Sequence, residues 1–140
     1  EDHIVRDNHL ERLTGDNARS ALCLMLGIPN SPANRYFQVQ RARVENNTLV
    51  DCEHPILIGL SDDKNATLAP VETVFSGNQV LSPKHFVIEA RCALDGITWR
   101  ENRFSGKALG IPVEEGIETS EPKVTPLKPI TRAEVGTTWR

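Results

Sequence analysis

The spacing of apolar residues predicts a helix near the start of the chain. Between residues 16 and 26, apolar side chains recur at intervals of three and four, at Ala18, Ala21, Leu22 and Met25. This spacing places them on one face of an α-helix. Asp16 or Asn17 can cap the first turn, and Gly27 followed by Pro29 can end the last one. We therefore predict a helix over residues 16–26.

From about residue 36 to residue 104 the pattern changes to the alternation of apolar and polar residues that is typical of half-buried strands. The clearest run has apolar residues at every second position, at Phe86, Ile88, Ala90 and Cys92. Asn46–Asn47 and Asp95–Gly96 separate such runs, and both dipeptides suit the two-residue turn of a β-hairpin. The second hairpin would pair Cys92 with Trp99. The pattern predicts an antiparallel sheet built as a meander of hairpins.

The last part, from residue 106 to residue 140, combines prolines with recurring apolar residues. Four of the nine prolines lie between Pro112 and Pro129, and proline favours extended backbone over helix. Apolar residues recur throughout, at Ile111, Val113, Ile117, Val124, Leu127 and Ile130. An extended segment with such side chains needs a surface to lie on. We predict an extended C-terminal arm over residues 106–140.

These three parts predict an α+β fold. A core domain over residues 1–105 would pack the N-terminal helix on a mainly antiparallel β-sheet, and the proline-containing arm would follow it. Two similar segments, "ALDGITWR" and "AEVGTTWR", hold both tryptophans. The residues before them do not align, so they do not mark a duplicated domain. We expect Trp99 to lie in the core and Trp139 to anchor the arm.

Composition and charge narrow the classes of partner. With 39% apolar and 25% charged residues, the chain has the composition of a globular domain. A net charge of −3 gives no broad attraction for nucleic acid, so we interpret the segment "RYFQVQRAR" as an amphipathic strand. The apolar run "ALCLMLGI" is too short to span a bilayer. We expect neither a nucleic-acid partner nor a membrane span.

The candidate metal ligands do not form a recognisable site. The three cysteines, Cys23, Cys52 and Cys92, lack the CxxC spacing of zinc sites. One disulfide with one buried thiol, or three buried thiols, would both satisfy this count. The segment "DCEHP" holds Asp51, Cys52, Glu53 and His54, but strand alternation lets only Cys52 and His54 converge. The missing ligands would have to come from His85, His3 or His9. We predict no metal and no cofactor.

No catalytic motif is present. The sequence has no Gly-x-Ser-x-Gly motif and no glycine-rich phosphate loop. Cys92 lies on the apolar face of its predicted strand, which is typical of an inert thiol. Cys52 has His54 nearby but no glycine motif for an oxyanion hole. We predict no catalytic residues, and an enzymatic activity is left open but is not favoured.

The arm leads to the predicted function, a non-enzymatic structural or interaction subunit of a larger protein assembly. Its partner would be another protein subunit, in a homo-oligomer or a hetero-oligomer, and the arm would pack on that neighbour. The residues expected to contact the partner are Ile117, Val124, Leu127, Ile130, Trp139 and Arg140.

The alternative is an exported domain that binds or hydrolyses a small ligand. Its site would lie between the sheet and the N-terminal helix, in a pocket lined by His54, His85 and Arg100. The first residue is not Met, which fits either removal of a signal peptide or a chain that is part of a longer one. The first of these favours a location outside the cytoplasm, secreted or periplasmic. Asn46 and Asn65 lie in N-glycosylation sequons at predicted turns.

Overall fold

The computed structural model describes residues 1–15, 19–32 and 35–125, which form twelve β-strands and no helix. The strands are β1 (Ile4–Arg6), β2 (His9–Glu11), β3 (Leu22–Met25), β4 (Arg43–Glu45), β5 (Thr48–Val50), β6 (Ile56–Leu60), β7 (Thr73–Ser76), β8 (Gln79–Phe86), β9 (Ile88–Ala90), β10 (Ile97–Arg100), β11 (Asn102–Ala108) and β12 (Ile117–Glu118). Within these ranges there is accordingly no helix with the length and apolar character needed to cross a membrane.

The strands form three parallel sheets. Sheet A has the order β1-β4-β7-β10, sheet B the order β12-β11-β8-β5-β2, and sheet C the order β3-β6-β9. From β1 to β11, successive strands along the chain enter sheets A, B and C in turn, and strands of the same sheet pair between neighbouring coils. The chain is therefore a parallel β-helix, in which each coil stacks on its neighbours.

The structure contradicts the predicted α+β fold and its N-terminal helix. Residues 22–25, placed in the predicted helix, form β3, in which Leu22 and Leu24 are half-buried and Cys23 and Met25 are exposed. The apolar run fits a period of two as well as a helical period. Pairing with β6 stabilises the strand, and this neighbour cannot be seen from the local sequence.

The predicted antiparallel sheet is also wrong, although its turns are real. Asn46 has a φ of 52°, as a left-handed turn position requires, yet β4 and β5 on either side belong to different sheets. Asp95–Gly96 forms a turn in which the Ile97 amide donates to the Leu94 carbonyl at 2.8 Å. That turn joins sheet C to sheet A. Apolar alternation does not tell which strand pairs with which, so turns between alternating runs indicate hairpins even where the strands pair elsewhere.

A ladder of asparagines, buried except for the first, forms the corner between sheets A and B. Equivalent positions of successive coils hold Asn8, Asn47, Asn78 and Asn102. Each Nδ2 group donates to the Oδ1 atom of the next asparagine, at 2.9, 3.0 and 2.9 Å along the ladder. The same Oδ1 atoms accept the backbone N–H of the preceding asparagine, at 3.1, 3.0 and 3.1 Å. The polar groups buried at this bend are thereby satisfied.

Each ladder asparagine follows a residue with positive φ. These residues are Asp7, Asn46, Gly77 and Glu101, with φ of 57°, 52°, 63° and 52°. A single left-handed residue bends the backbone sharply between two strands. In the next coil Gly116 keeps a positive φ of 85°, while Ile117 takes the position in register with Asn102. Asn102 is therefore the last asparagine of the ladder in the described coils.

A continuous stack of apolar side chains fills the interior of the coils. Its members from the three sheets include Val44, Phe75, Trp99, Leu49, Val80, Phe104, Ile56, Ile58 and Ile88. The rings of Phe75 and Trp99 lie 4.8 Å apart between centroids, and Trp99 meets Phe104 edge-on at 6.2 Å. Such contacts add to the burial of the rings themselves. The predicted core position of Trp99 is confirmed.

The first residues of the predicted arm are part of the β-helix. β11 runs across the predicted boundary at residues 105–106, and β12 pairs with it. Ile117 is buried against the core stack. Residues 126–140 lie outside the described ranges, so the division into a core domain and an arm stays a prediction.

The coils differ in length. Successive ladder positions are 39, 31 and 24 residues apart. Much of the difference lies in the connections from sheet C to sheet A, which comprise residues 26–42, 61–72 and 91–96. A solenoid without a fixed period leaves no regular repeat in its sequence.

Replacing Asn78 by Ala should lower the free energy of unfolding by at least about 3 kcal/mol. The change removes the donor to the Val44 carbonyl and the acceptor of the Asn47 amide, both fully buried. Urea unfolding of this variant should be compared with that of Gln79→Ala, the next residue, whose side chain makes no hydrogen bond within the described ranges. Equal losses in the two variants would contradict a structural role for the ladder.

Candidate functional site

The two longest connections from sheet C to sheet A lie together at one corner of the β-helix. We name them the first long loop (residues 26–42, described except for 33–34) and the second long loop (residues 61–72). Segments that the coil does not need for its strands are free to carry function. The cleft that these loops enclose is therefore the candidate site.

Gly27 joins the bases of the two loops. Its backbone exchanges hydrogen bonds with Leu68, at 2.9 Å and 3.0 Å, in an isolated antiparallel bridge. A Cβ atom at position 27 would lie only 2.4 Å from the Cα atom of Gln38. The Gln38 side chain in turn donates to the Ala69 carbonyl at 2.7 Å. Glycine is needed here because the two backbones approach so closely.

The cleft consists of two adjoining cavities of about 490 and 530 Å³. Asp63, Lys64 and Asn65 line both of them. The first cavity also contacts Arg35, and the second contacts Tyr36. Both volumes are within the range of pockets that hold small molecules or short segments of a polymer.

The cleft presents an aromatic side chain and cations that have no partner among the described residues. Tyr36 is 52% exposed and its neighbour Phe37 is 54% exposed. The side chains of Arg35 and Lys64 make no ion pair or hydrogen bond within the described part of the chain. The Asp63 carboxylate, by contrast, accepts hydrogen bonds from the Asn65 backbone and side chain at 2.8 and 2.9 Å. The cations are available to a ligand, while the Asp63 carboxylate is held in the turn and Asp62 also lines the second cavity.

This arrangement suits the binding of a ligand with flat apolar faces and negative charge. An exposed aromatic ring offers a surface for stacking, and guanidinium and ammonium groups bind carboxylates. The ranges 1–15, 19–32 and 35–125 contain no group of three or more His, Cys, Asp or Glu residues that could hold a metal ion.

The structure brings together two of the three residues of the predicted pocket. His54 and His85 line one cavity, at the corner between sheets B and C. Arg100 lies at the end of β10 in sheet A and is exposed there. The predicted neighbour of this pocket, the N-terminal helix, is replaced by β3.

The residues of the "DCEHP" segment point in different directions. Cys52 is fully buried, and its Sγ atom lies 3.6 Å from the Leu10 carbonyl oxygen. His3 and His9 lie in the first coil and do not line the cavity of His54 and His85. All three cysteines are free thiols, and Cys23 is exposed, which matches neither of the two arrangements considered from the sequence.

The residues predicted to contact a protein partner are only partly within the described ranges. Ile117 packs in the β-helix, and Val124 is half-buried near its end. Leu127, Ile130, Trp139 and Arg140 lie outside the described residues. Their role in partner binding stays a prediction.

Sequence reasoning missed the cleft itself. Arg35 and Tyr36 belong to the segment interpreted as a strand, which in the structure begins only at Arg43. The available signals were the prolines and asparagines before Arg35 and the turn residues around Lys64. They predict loops, but the fold decides that the two loops meet.

Replacing Gly27 by Ala should destabilise the loop bases by about 1–3 kcal/mol, because the new methyl group collides with backbone atoms of Gln38. Hydrogen exchange should become faster in both long loops and remain slow in the core strands. The control is Thr67→Ala, because only the backbone of Thr67 contacts Gly27. Unchanged exchange in Gly27→Ala would contradict the close packing of the two loops.

The three thiols should react at different rates with a thiol reagent. Cys23 should react first because it is exposed, and Cys52 only on unfolding. Burial raises the pKa of the Cys23 thiol, so its thiolate fraction at neutral pH is below that of a free cysteine, and its rate should still increase above about pH 8.5. Mass spectrometry of the labelled protein identifies the order. Native labelling of Cys52 before Cys23 would contradict the buried position of Cys52.

Comparison with known proteins agrees with the observed architecture. The chain matches the protein family described as Chondroitinase B over residues 1–138. It is also similar to the PL6 family alginate lyase AlyGC. A structure of an AlyGC mutant has a TM-score of 0.80 and 33% sequence identity, covering 98% of this chain and 22% of that one. A second AlyGC structure gives 0.80 and 32% with the same coverage. Among curated protein sequences, none is similar enough to count as a match.

These findings overturn the predicted function. They point to a polysaccharide lyase-type domain rather than to a non-enzymatic structural subunit of an assembly. The alternative, an exported ligand-binding or hydrolytic domain, is closer to them. The family model covers nearly the whole chain, and the solved structures share its fold at more than 30% identity. The chain belongs to the chondroitinase B family.

Proposed function

We propose that this chain is part of a polysaccharide lyase that acts on an acidic polysaccharide containing uronic acids. The observation that supports this most strongly is the family match over residues 1–138. The named substrates of the family and of AlyGC, chondroitin and alginate, share uronate carboxylates along the polymer. The chain spans 22% of the length of AlyGC. Catalytic activity on the polysaccharide is therefore a proposal, since the similarity covers only part of that enzyme.

The chemistry of a lyase explains why cations matter in its binding cleft. A base removes the proton beside the uronate carboxylate, the electron pair forms a carbon–carbon double bond, and the glycosidic oxygen leaves with a proton. Negative charge accumulates on the carboxylate during this step, so neighbouring cations stabilise the transition state. Sugars on either side of the reacting bond must also be held in position.

The cleft between the long loops supports a role in holding the acidic polymer. Arg35 and Lys64 are available for uronate carboxylates, and Tyr36 presents a face on which a sugar ring can stack. We assign these three side chains to substrate binding and assign no proton-transfer step to them. The base and acid of the elimination would be supplied elsewhere in the enzyme.

We further propose that the protein works outside the cytoplasm. A polysaccharide of this class is too large to enter the cell intact, so its first cleavage takes place in the periplasm or the medium. The sequence-based expectation of a secreted or periplasmic location is in line with this proposal.

Lys64→Gln should weaken binding of a short alginate oligosaccharide about tenfold, which is about 1.4 kcal/mol, because a charge-assisted contact is lost. Tyr36→Ala should cause a similar loss, and Tyr36→Phe should retain the affinity because the ring remains. Lys123→Gln, an exposed lysine outside the cleft, is the charge-matched control. Titration calorimetry at fixed salt measures these affinities.

The lyase itself is tested with the protein that contains this chain, incubated with alginate and with chondroitin sulfate. Ultraviolet absorbance should reveal the unsaturated uronate end that elimination creates. A reducing end without the double bond would mean hydrolysis and would overturn the proposal. Equal affinity for acidic and neutral oligosaccharides would overturn the binding role of Lys64.

A further inference from the structure

We infer that a second site for acidic sugars lies at the corner between sheets B and C, on a different corner of the β-helix from the long loops. The ligand class rests on the proposed function, whereas the site itself rests on its own geometry. It is a cavity of about 480 Å³ built from the second, third and fourth coils. It shares no lining residue with the cleft between the loops.

An irregularity in sheet B creates this cavity. Ser82 pairs with Gly106 and Phe86 with Ala108, so β8 carries extra residues opposite Lys107. The extra segment includes Lys84 and His85, both of which line the cavity. Bulges of this kind redirect side chains and are frequent beside functional sites.

Gly106 allows the bulge to pack closely on β11. A Cβ atom at that position would lie 2.8 Å from the His85 carbonyl oxygen and 2.7 Å from a methyl group of Val87. The floor of the cavity is apolar and rigid, because Ile56 and Ile88 are buried core residues. The polar side chains at the rim therefore project from a fixed base.

The charged side chains that line the cavity differ in whether they have a partner. Glu53 accepts a hydrogen bond from the Gly15 amide at 3.2 Å. Glu89 is paired with the Arg91 guanidinium at 2.7 Å. Lys84 and Lys107 have no carboxylate partner in the ranges that the structure describes. Only Glu89 is charge-paired, whereas Glu53 keeps its negative charge, so Lys84, Lys107 and Glu53 together leave a single net positive charge at the rim.

An aromatic ring lies beside these lysines. Phe86 is 54% exposed, and the Nζ atom of Lys107 lies 5.6 Å from the centroid of its ring. About half of the Phe86 surface is therefore accessible to a ligand. The cation over one part of the ring leaves the remainder for stacking.

Lysines, imidazoles and an exposed ring together fit a sugar that carries a carboxylate or a sulfate. The anion would bind Lys84 and Lys107, the ring would stack on Phe86, and His54 and His85 would contact hydroxyl groups. A polymer held at this corner as well as in the cleft dissociates more slowly, because rebinding at either point is intramolecular. The second site would therefore retain the polysaccharide and would take no part in the elimination.

Nuclear magnetic resonance of the four histidines tests this site residue by residue. An alginate oligosaccharide should shift the imidazole signals of His54 and His85 and leave those of His3 and His9 unchanged. A neutral cello-oligosaccharide of equal length should shift none of them. Unmoved His54 and His85 signals at saturating alginate oligosaccharide, or equal shifts with the neutral one, would overturn the inference.

Variants separate the second site from the proposed function. Lys84→Gln combined with Lys107→Gln should raise at least tenfold the oligosaccharide concentration needed to shift the His54 and His85 signals. The shift of the Tyr36 ring signals, recorded in the same titration, should stay unchanged. Lys64→Gln should weaken binding in the cleft and leave the response of His54 and His85 unchanged. If the double variant leaves the histidine response intact, the second site is wrong even when lyase activity is present. If no unsaturated product forms while the histidine shifts persist, only the proposed function fails.

Discussion

Hydrogen bonding between stacked asparagine side chains is the interaction on which this β-helix depends. At the corner between sheets A and B a left-handed residue turns the backbone, and the following amide points into the interior, where water is absent. Each asparagine of the ladder supplies the acceptor that the amide before it needs, and donates in turn to the next coil. Because an unsatisfied buried amide is costly, the register of neighbouring coils is fixed at this corner.

A register held at one corner leaves the other two corners free to vary. The connections from sheet C to sheet A differ greatly in length, and sheet B carries a bulge close to sheet C. The interior remains closed in spite of this variation, since Phe75, Trp99 and Phe104 continue the apolar stack from coil to coil. The structure therefore combines one rigid edge with two edges on which binding surfaces can form.

Both variable corners present cations near an exposed aromatic ring. In the cleft these are Lys64 and Tyr36, and in the cavity at the bulge they are Lys107 and Phe86. In both places a nearby carboxylate is engaged by other groups, Asp63 by Asn65 and Glu89 by Arg91. A net charge of −3 for the whole chain hides this local availability of positive charge. Recognition of an acidic polymer depends on such local groups rather than on the overall charge.

The sequence by itself determined the left-handed turn at Asn46 and the burial of Trp99. It also indicated that His54 and His85 share a pocket. These features depend on a few neighbouring residues or on hydrophobicity alone. The alternation predicted from Phe86 to Cys92 is wrong, because Phe86 is exposed and Val87 and Ile88 are both buried. Only the tertiary structure decided that Leu22 and Leu24 belong to a strand, that the turns join different sheets, and that Tyr36 and Lys64 line one cavity. The physical reason is that each strand pairs with a strand one coil away, at a separation that shortens from 39 to 24 residues along the ladder, so no local or periodic signal identifies its partner.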